Sequence, residues 1–262
     1  MGLERVTLYR ATHTVCSVEE IADWLETRID LRVDVRDRFL DRYDTDALPE
    51  AFAAARVRSP YDRTTGSAMA GVIRYERRVL DSPQRAGGVL YDGEAIQRAL
   101  NESLPPDERT LDHLHIAFLD RVIGTWGEHD GRWHKRLAVL GQPALVSIPG
   151  LSEAPAKPEE YYQKRYQSAL LTGDVAPRDV LEGSLETDVI REDDARTTEA
   201  LKGYALSAAH LLRTGEGFCD DPICRLSNPH THEGVILAQF TPPEFCPQHN
   251  HCYRPSRQTR RR

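Results

Sequence analysis

The chain has 262 residues, 40% of them hydrophobic and 29% charged, with a formal net charge of −7. That suits one large domain or two small ones. It excludes a collagen-like, low-complexity or intrinsically disordered chain. No run of about 18 apolar residues is present, which excludes a membrane-spanning helix. The N-terminal MGLERVTLYR has no apolar signal core, so the expected location is the cytoplasm.

In chain order, Val6–Tyr9 reads as a first strand. Ser17 is the expected N-cap of a helix over 18–27, with Glu20 as capping-box partner and Ile21, Trp24 and Leu25 as its inner stripe. Residues 31–35 alternate as a half-buried strand does, and the Ala-rich stretch 47–57 reads as helix. Residues 59–66 are expected to be loop, 69–75 a strand, and 93–104 a helix stopped by Pro105 and Pro106. Leu114–Leu119 is the best candidate for a central strand, with His113 and His115 on one face. Packed histidines are the first reading there, and metal ligation is the alternative. Gly124–Gly131 reads as a turn, 133–139 and 143–148 as a hairpin, 152–158 as a linker-like bend, and 159–170 as a helix. Residues 172–195 read as loop plus a short helix. The strongest helix follows over 194–212, with Leu201, Ala205, Ala208 and Leu212 at helical spacing and Gly215 to Gly217 ending it. A last helix is expected over His232–Phe240.

The chemistry concentrates in residues 203–252, which hold four of the five cysteines and five of the ten histidines. Cys219 and Cys224 are separated by four residues, and Cys246-Pro-Gln-His249 follows about twenty residues later, then His251 and Cys252. Two soft-ligand pairs on separate turns are what a closed tetrahedral zinc site needs. Cys219, Cys224 and Cys246 are the firm candidates. For the fourth ligand, His251 and Cys252 compete with His249. The alternative is a set of separate buried thiols or one disulfide. His230, His232 and Glu233 (HTHE) read mainly as the cap and surface of the last helix. No GxxxxGK[ST], GxGxxG or GxSxG motif is present.

A long helix, then Cys-x4-Cys, a short helix and a Cys-containing turn resembles the order found in archaemetzincins, a family of zinc metallopeptidases. In their motif, HExxH and a following glycine belong to a catalytic zinc, and Cys-x4-Cys-x-Met with a later Cys-x-x-Cys holds a structural zinc. The segment FCDDPICRL also resembles that of a haloarchaeal group of metallopeptidase homologues. The resemblance implies Cys219, Cys224, Cys246 and His249 as ligands of one structural Zn²⁺, with Leu226 at the methionine position. It also places His210 on the second histidine of HExxH. Leu206 stands where the first histidine would be, Ser207 where the general-base glutamate would be, and Arg213 where the glycine would be. Glu216 falls near the third ligand. His210 and Glu216 would then be the remnant of a second metal site, short of the three ligands and bound water that a catalytic zinc uses.

The expected fold is therefore α/β (α+β), a metzincin-like mixed sheet packed by the long helix, with a small zinc-stapled C-terminal lobe. One domain over 1–252 is expected, its lobes meeting near 150–158 (about 1–150 and 159–252), followed by a basic disordered tail over 253–262. The expected function is that of a metallopeptidase homologue with a structural zinc and no catalytic one, binding an extended peptide or protein. The alternative is an active zinc hydrolase using relocated ligands, drawn from His113, His115, His129 or His134 beside His210. The RPSRQTRRR end carries five Arg, and removing them from −7 leaves −12 on the body, which argues against a nucleic-acid partner.

Overall fold

The computed structural model describes residues 2–12, 15–43, 47–66, 68–81 and 88–253; of the expected tail over 253–262, Tyr253 is buried against His210 rather than disordered, and 254–262 lie outside the described residues. The elements run β1 (Arg5–Tyr9), α1 (Val18–Ile29), β2 (Val33–Arg36), α2 (Phe39–Arg42), α3 (Leu48–Ala54), β3 (Val57–Ser59), β4 (Asp62–Thr65), α4 (Ala70–Asp81), β5 (Leu90–Asp92), α5 (Gly93–Ser103) and β6 (His113–Leu119). They continue with β7 (Val122–Gly127), β8 (Arg132–Arg136), β9 (Ala138–Val139), β10 (Ala144–Ser147), α6 (Gly150–Glu153), α7 (Glu159–Thr172), α8 (Arg178–Gly183), α9 (Thr197–Thr214), α10 (His232–Phe240) and α11 (Pro247–Asn250).

The main sheet has the order β2-β1-β6-β10-β9. Its first four strands are parallel, and β9 is antiparallel at the edge. A smaller sheet, β5-β7-β8, is also mixed. This is the expected α/β class. All seven residues of β6 are buried, as a central strand covered on both faces requires. Side chains alternate across it. Val6, Leu8, Leu114, Ile116 and Phe118 face one core with α1 and α9, while Tyr9, Ala117 and Leu119 face a second core with Phe39, Phe52 and Ile96. The first core runs from Leu3 to Tyr253, so both ends of the described chain are packed into it.

The Ser17 hydroxyl accepts from the Glu20 amide and starts α1 as expected. Ile21 and Leu25 are buried, but Trp24 is only half-buried, because Arg28 and Arg225 each lie 5.0 Å from its ring. α9 buries twelve residues, nearly all round its first three turns, because α1, the sheet and α10 enclose it. Gly203 sits in its middle despite the helical cost of glycine, about 1 kcal/mol. A Cβ there would collide with Gln239 Oε1 and lie 2.7 Å from the Arg225 carbonyl oxygen, so the close approach of α10 and the cysteine loop demands it.

Four local expectations are corrected. Residues 70–81 form a helix, not a strand: Val72, Ile73, Glu76, Val79 and Leu80 turn inward at helical spacing. A buried glutamate in that stripe hides the period from a hydrophobicity reading. Glu76 is fully buried against the Tyr91 hydroxyl, 3.1 Å away, and Arg56, 3.4 Å away. Residues 57–65 form the hairpin β3-β4 rather than a loop. Residues 122–136 form the hairpin β7-β8, so that only its tip is the expected turn. The bend expected over 152–158 starts inside the short helix α6.

Candidate metal centre

Two loops build the cluster. In the first, the Cys219 amide donates to the Leu226 carbonyl at 2.9 Å and the Ser227 amide to the Cys224 carbonyl at 2.8 Å, which folds residues 219–227 back on themselves. Asp221 pins the turn: its carboxylate accepts from the Ile223 amide at 3.1 Å, and its carbonyl accepts from the Cys224 amide at 3.1 Å. In the second, Cys246 is the N-cap of α11, with Pro247 as the first helical residue. The His249 amide donates to the Cys246 carbonyl, so one turn brings side chains i and i+3 to the same face. The Arg225 amide, donating to the Glu244 carbonyl at 3.0 Å, ties the two loops together.

The donor atoms of Cys219, Cys224, Cys246 and His249 all lie within 4.8 Å of one another. Cys219 Sγ to Cys246 Sγ is 3.8 Å, Cys224 Sγ to His249 Nδ1 is 3.6 Å, and Cys246 Sγ to His249 Nδ1 is 3.2 Å. Zinc bonds of about 2.3 Å to sulfur and about 2.0 Å to nitrogen, at tetrahedral angles, give edges of about 3.8 Å between sulfurs and about 3.5 Å between sulfur and nitrogen. The set therefore fits one zinc-sized ion. All four cysteines of the region have free thiols, not disulfides. Burial pushes the Cys224 thiol up to about 12 and also raises Cys219. The Asp221 amide, 3.4 Å from Cys219 Sγ, opposes the rise by favouring thiolate. A metal ion would be the dominant charge here and would deprotonate both thiols.

Cys252 and His251 are exposed and stand outside the cluster, the Cys252 thiol lying 3.8 Å from the Gln248 carbonyl. His210 is buried beside it: its ring centroid is 5.1 Å from that of His249, and its Nδ1 is 2.6 Å from the Tyr253 hydroxyl, while Nε2 has no partner. Glu216 is exposed, and among the described residues it joins His210 in no group of three possible ligands. The relocated histidines do not gather there either. His113 and His115 project from β6 to the opposite face of the sheet from α9, and His134 bonds Asp130 in the β7-β8 hairpin. His232 is buried rather than on the surface. Its Nδ1 accepts from the Ile190 amide at 3.2 Å, and Thr231 supplies the cap of α10.

Glu108, His113 and His115 also bring three possible ligand atoms within 4.8 Å. This set does not fit a metal. Arg36 grips both carboxylate oxygens of Glu108, at 2.6 and 3.2 Å. His115 is used at both nitrogens, by the Tyr9 hydroxyl at 2.8 Å and the Glu108 carbonyl at 3.0 Å. Arg36 and Tyr43 hold the Glu108 carboxyl down to about 2, and burial depresses His115 to about 4. These groups form a hydrogen-bonded network that fastens β1 and β6 to the second core. Because folding depresses the His115 pKa from 6.5, the unfolded chain takes up its proton first as pH falls. The neutral ring's contribution is complete above about pH 6.5 and is lost as pH falls towards about 4. Urea melts at pH 7 and 4.5 test this: His115→Gln should lose about 2 kcal/mol less between these pH values than the wild type does. Equal losses in both proteins would show that His115 does not titrate this way.

The fold and cluster define a mixed α/β protein with a Cys3His group near its C-terminal end. The chain belongs to a family described as a family of unknown function (DUF7001), whose model matches residues 7–252. No curated protein matches the chain. Among solved structures, it is similar to a zinc-dependent peptidase from Methanocorpusculum labreanum (strain Z), with 13% identity, a TM-score of 0.44, and 94% of this chain and 98% of that one covered. It is also similar to an archaemetzincin from Methanopyrus kandleri, with 13% identity, a TM-score of 0.40, and 94% and 91% covered. Among the described residues, no helix is long and apolar enough to cross a membrane.

Proposed function

We propose that Cys219, Cys224, Cys246 and His249 hold one structural zinc ion, and that the protein is a non-catalytic relative of zinc metallopeptidases that binds an extended peptide or protein segment. The observation that carries the zinc assignment is the donor set itself: three sulfurs and one nitrogen within 4.8 Å of one another, with three of the six separations near the edges of a zinc tetrahedron and three of the four residues buried. Four protein ligands close the coordination sphere and leave no position for a reactive water. Such an ion braces; it does not hydrolyse. The sequence of α9 supports the second part, since Leu206 and Ser207 stand where the archaemetzincin resemblance calls for a histidine ligand and a glutamate base. Neither side chain can bind zinc in the first case or accept a proton usefully in the second. A peptide partner would add along an open edge of the main sheet, at β2 or β9, by main-chain pairing.

Metal analysis of the purified protein separates the readings. One zinc per chain, reduced to none in Cys246→Ser, is expected. Two zinc ions per chain, with one surviving that substitution, would instead support an active hydrolase.

A further inference from the structure

The main sheet has a crossover point at β1. The chain leaves β1 through α1, on the first-core face, to reach β2 on one side. It then returns through the second-core helices to β6 on the other side. Loops leaving two neighbouring parallel strands in opposite directions open a crevice at their carboxyl ends, where α/β sheets commonly bind ligands. A cleft lies at that place here. It is lined by Arg10 and Thr12 after β1, Arg38 at the start of α2, Asp120 and Arg121 after β6, and Leu80 of α4. Its cavity is about 30 Å³, room for two or so water-sized groups rather than a whole cofactor.

Three guanidinium groups face one carboxylate around this cleft. Arg10 is paired with Glu19 at 2.6 Å and Asp37 at 3.0 Å, and Arg38 with Asp41, all three being partly or largely exposed acids. Arg121 differs. It is only 7% exposed, and the buried Glu76 carboxylate that feels its charge is itself bonded to the Tyr91 hydroxyl and paired with Arg56. Its Nη1 donates to the Asp120 carbonyl at 3.1 Å and its Nη2 to the Val79 carbonyl at 3.4 Å, while Nε has no partner. Arg38 in turn donates to the Leu80 carbonyl at 3.0 Å and to the Thr12 hydroxyl. The last carbonyls of α4 thus aim both guanidinium groups at the same space. Asp120 turns one oxygen to the Thr12 amide, 2.6 Å away. A buried guanidinium N–H with no acceptor, as at Arg121 Nε, is costly to fold around unless something completes it.

We propose that this cleft binds a single oxyanion group, a phosphate or a carboxylate, with Arg121 as its buried anchor and Arg10 and Arg38 at its rim. Guanidinium forks suit both groups, because each offers oxygens at the spacing of paired N–H donors. None of these residues belongs to the Cys3His cluster, so the proposal stands or falls apart from the zinc assignment.

The test is thermal unfolding of the full chain titrated with sodium phosphate, and separately with sodium acetate, against sodium chloride at matched ionic strength. A saturable rise in Tm with phosphate, acetate or both is expected, and the anion that produces it identifies the ligand class. Arg121→Met and Arg38→Gln should each weaken the apparent affinity about tenfold or more, as loss of a charged hydrogen-bonding partner does. No saturable rise above chloride with either anion would overturn the proposal. So would a wild-type response in Arg121→Met or, if that variant does not fold, in Arg38→Gln.

Discussion

Stripping the proposed zinc with a chelator, or replacing Cys246 by Ser, should lower the Tm by about 10 °C or more. Structural zinc contributes roughly 10 kcal/mol or more to folding in isolated zinc peptides. A domain with its own core keeps part of its stability without the ion, so we expect a loss of about 4 kcal/mol, and each kcal/mol moves the Tm of a chain this size by about 2–4 °C. The expectation is large because the cluster is not peripheral. Cys224 and Cys246 are buried in the first core with Leu226, Phe245 and Tyr253, against Leu206 and Ala209 of α9. Without the proposed ion, three thiols and an imidazole crowd within 4.8 Å with nothing to hold them. It also frees the two loops that seat α10 and the final turn. Differential scanning calorimetry with and without chelator checks it, and an unchanged Tm after complete metal loss would rule out a bracing role. Because the buried Cys224 thiol is pushed up to about 12, loading with zinc must release protons, so affinity should fall as pH falls.

Arg225→Ala should cost about 3 kcal/mol or more, although Arg225 touches no candidate zinc donor through its side chain. It lies between Cys224 and Leu226 and is 3% exposed. Its guanidinium joins the carboxylates of Glu244 and Glu199 and donates to the Gln239 carbonyl at 2.9 Å. Those partners come from the Cys246 loop, α9 and α10. Gln239 returns a bond from its side-chain amide to the Arg225 carbonyl at 3.1 Å. The network extends through Arg28, 2.7 Å from Glu244, and through Lys202, which bridges Glu199 and Glu20 at 2.6 and 2.7 Å. Truncating the central cation leaves several acceptors without a donor, and removing one member of a buried charged set costs about 3–5 kcal/mol. Glu199 and Glu244 reach partly into solvent, which places the expectation at the lower end. Denaturant unfolding of the zinc-loaded variant measures it; a change under about 0.5 kcal/mol would place this residue with ordinary surface substitutions.

The parts of this fold legible in the sequence are those whose signal is local. The capping box at Ser17, the 3.6-residue stripe of α9, the continuous apolar run of β6 and the helix His232–Phe240 can each be read from neighbouring residues. The candidate metal centre was legible for the same reason: Cys219 and Cys224 share one turn, and Cys246 and His249 share another. What was hidden depends on residues far apart in the chain. Glu76 breaks the apolar pattern of α4 because Tyr91 and Arg56 satisfy it from elsewhere. Trp24 packs against the first core only at its edge, and its ring also meets Arg28 and Arg225, which no spacing rule announces. Arg225 and Arg121 look in sequence like two of many surface arginines. Only the folded chain shows that both are buried.

X-ray absorption at the zinc edge of the purified protein reads the coordination sphere itself. Three sulfur scatterers at about 2.3 Å and one nitrogen at about 2.0–2.1 Å, with an imidazole signature and no bound water, are predicted. A sphere of nitrogen and oxygen ligands with a water, or protein that holds no zinc when purified with the metal supplied, would contradict the account.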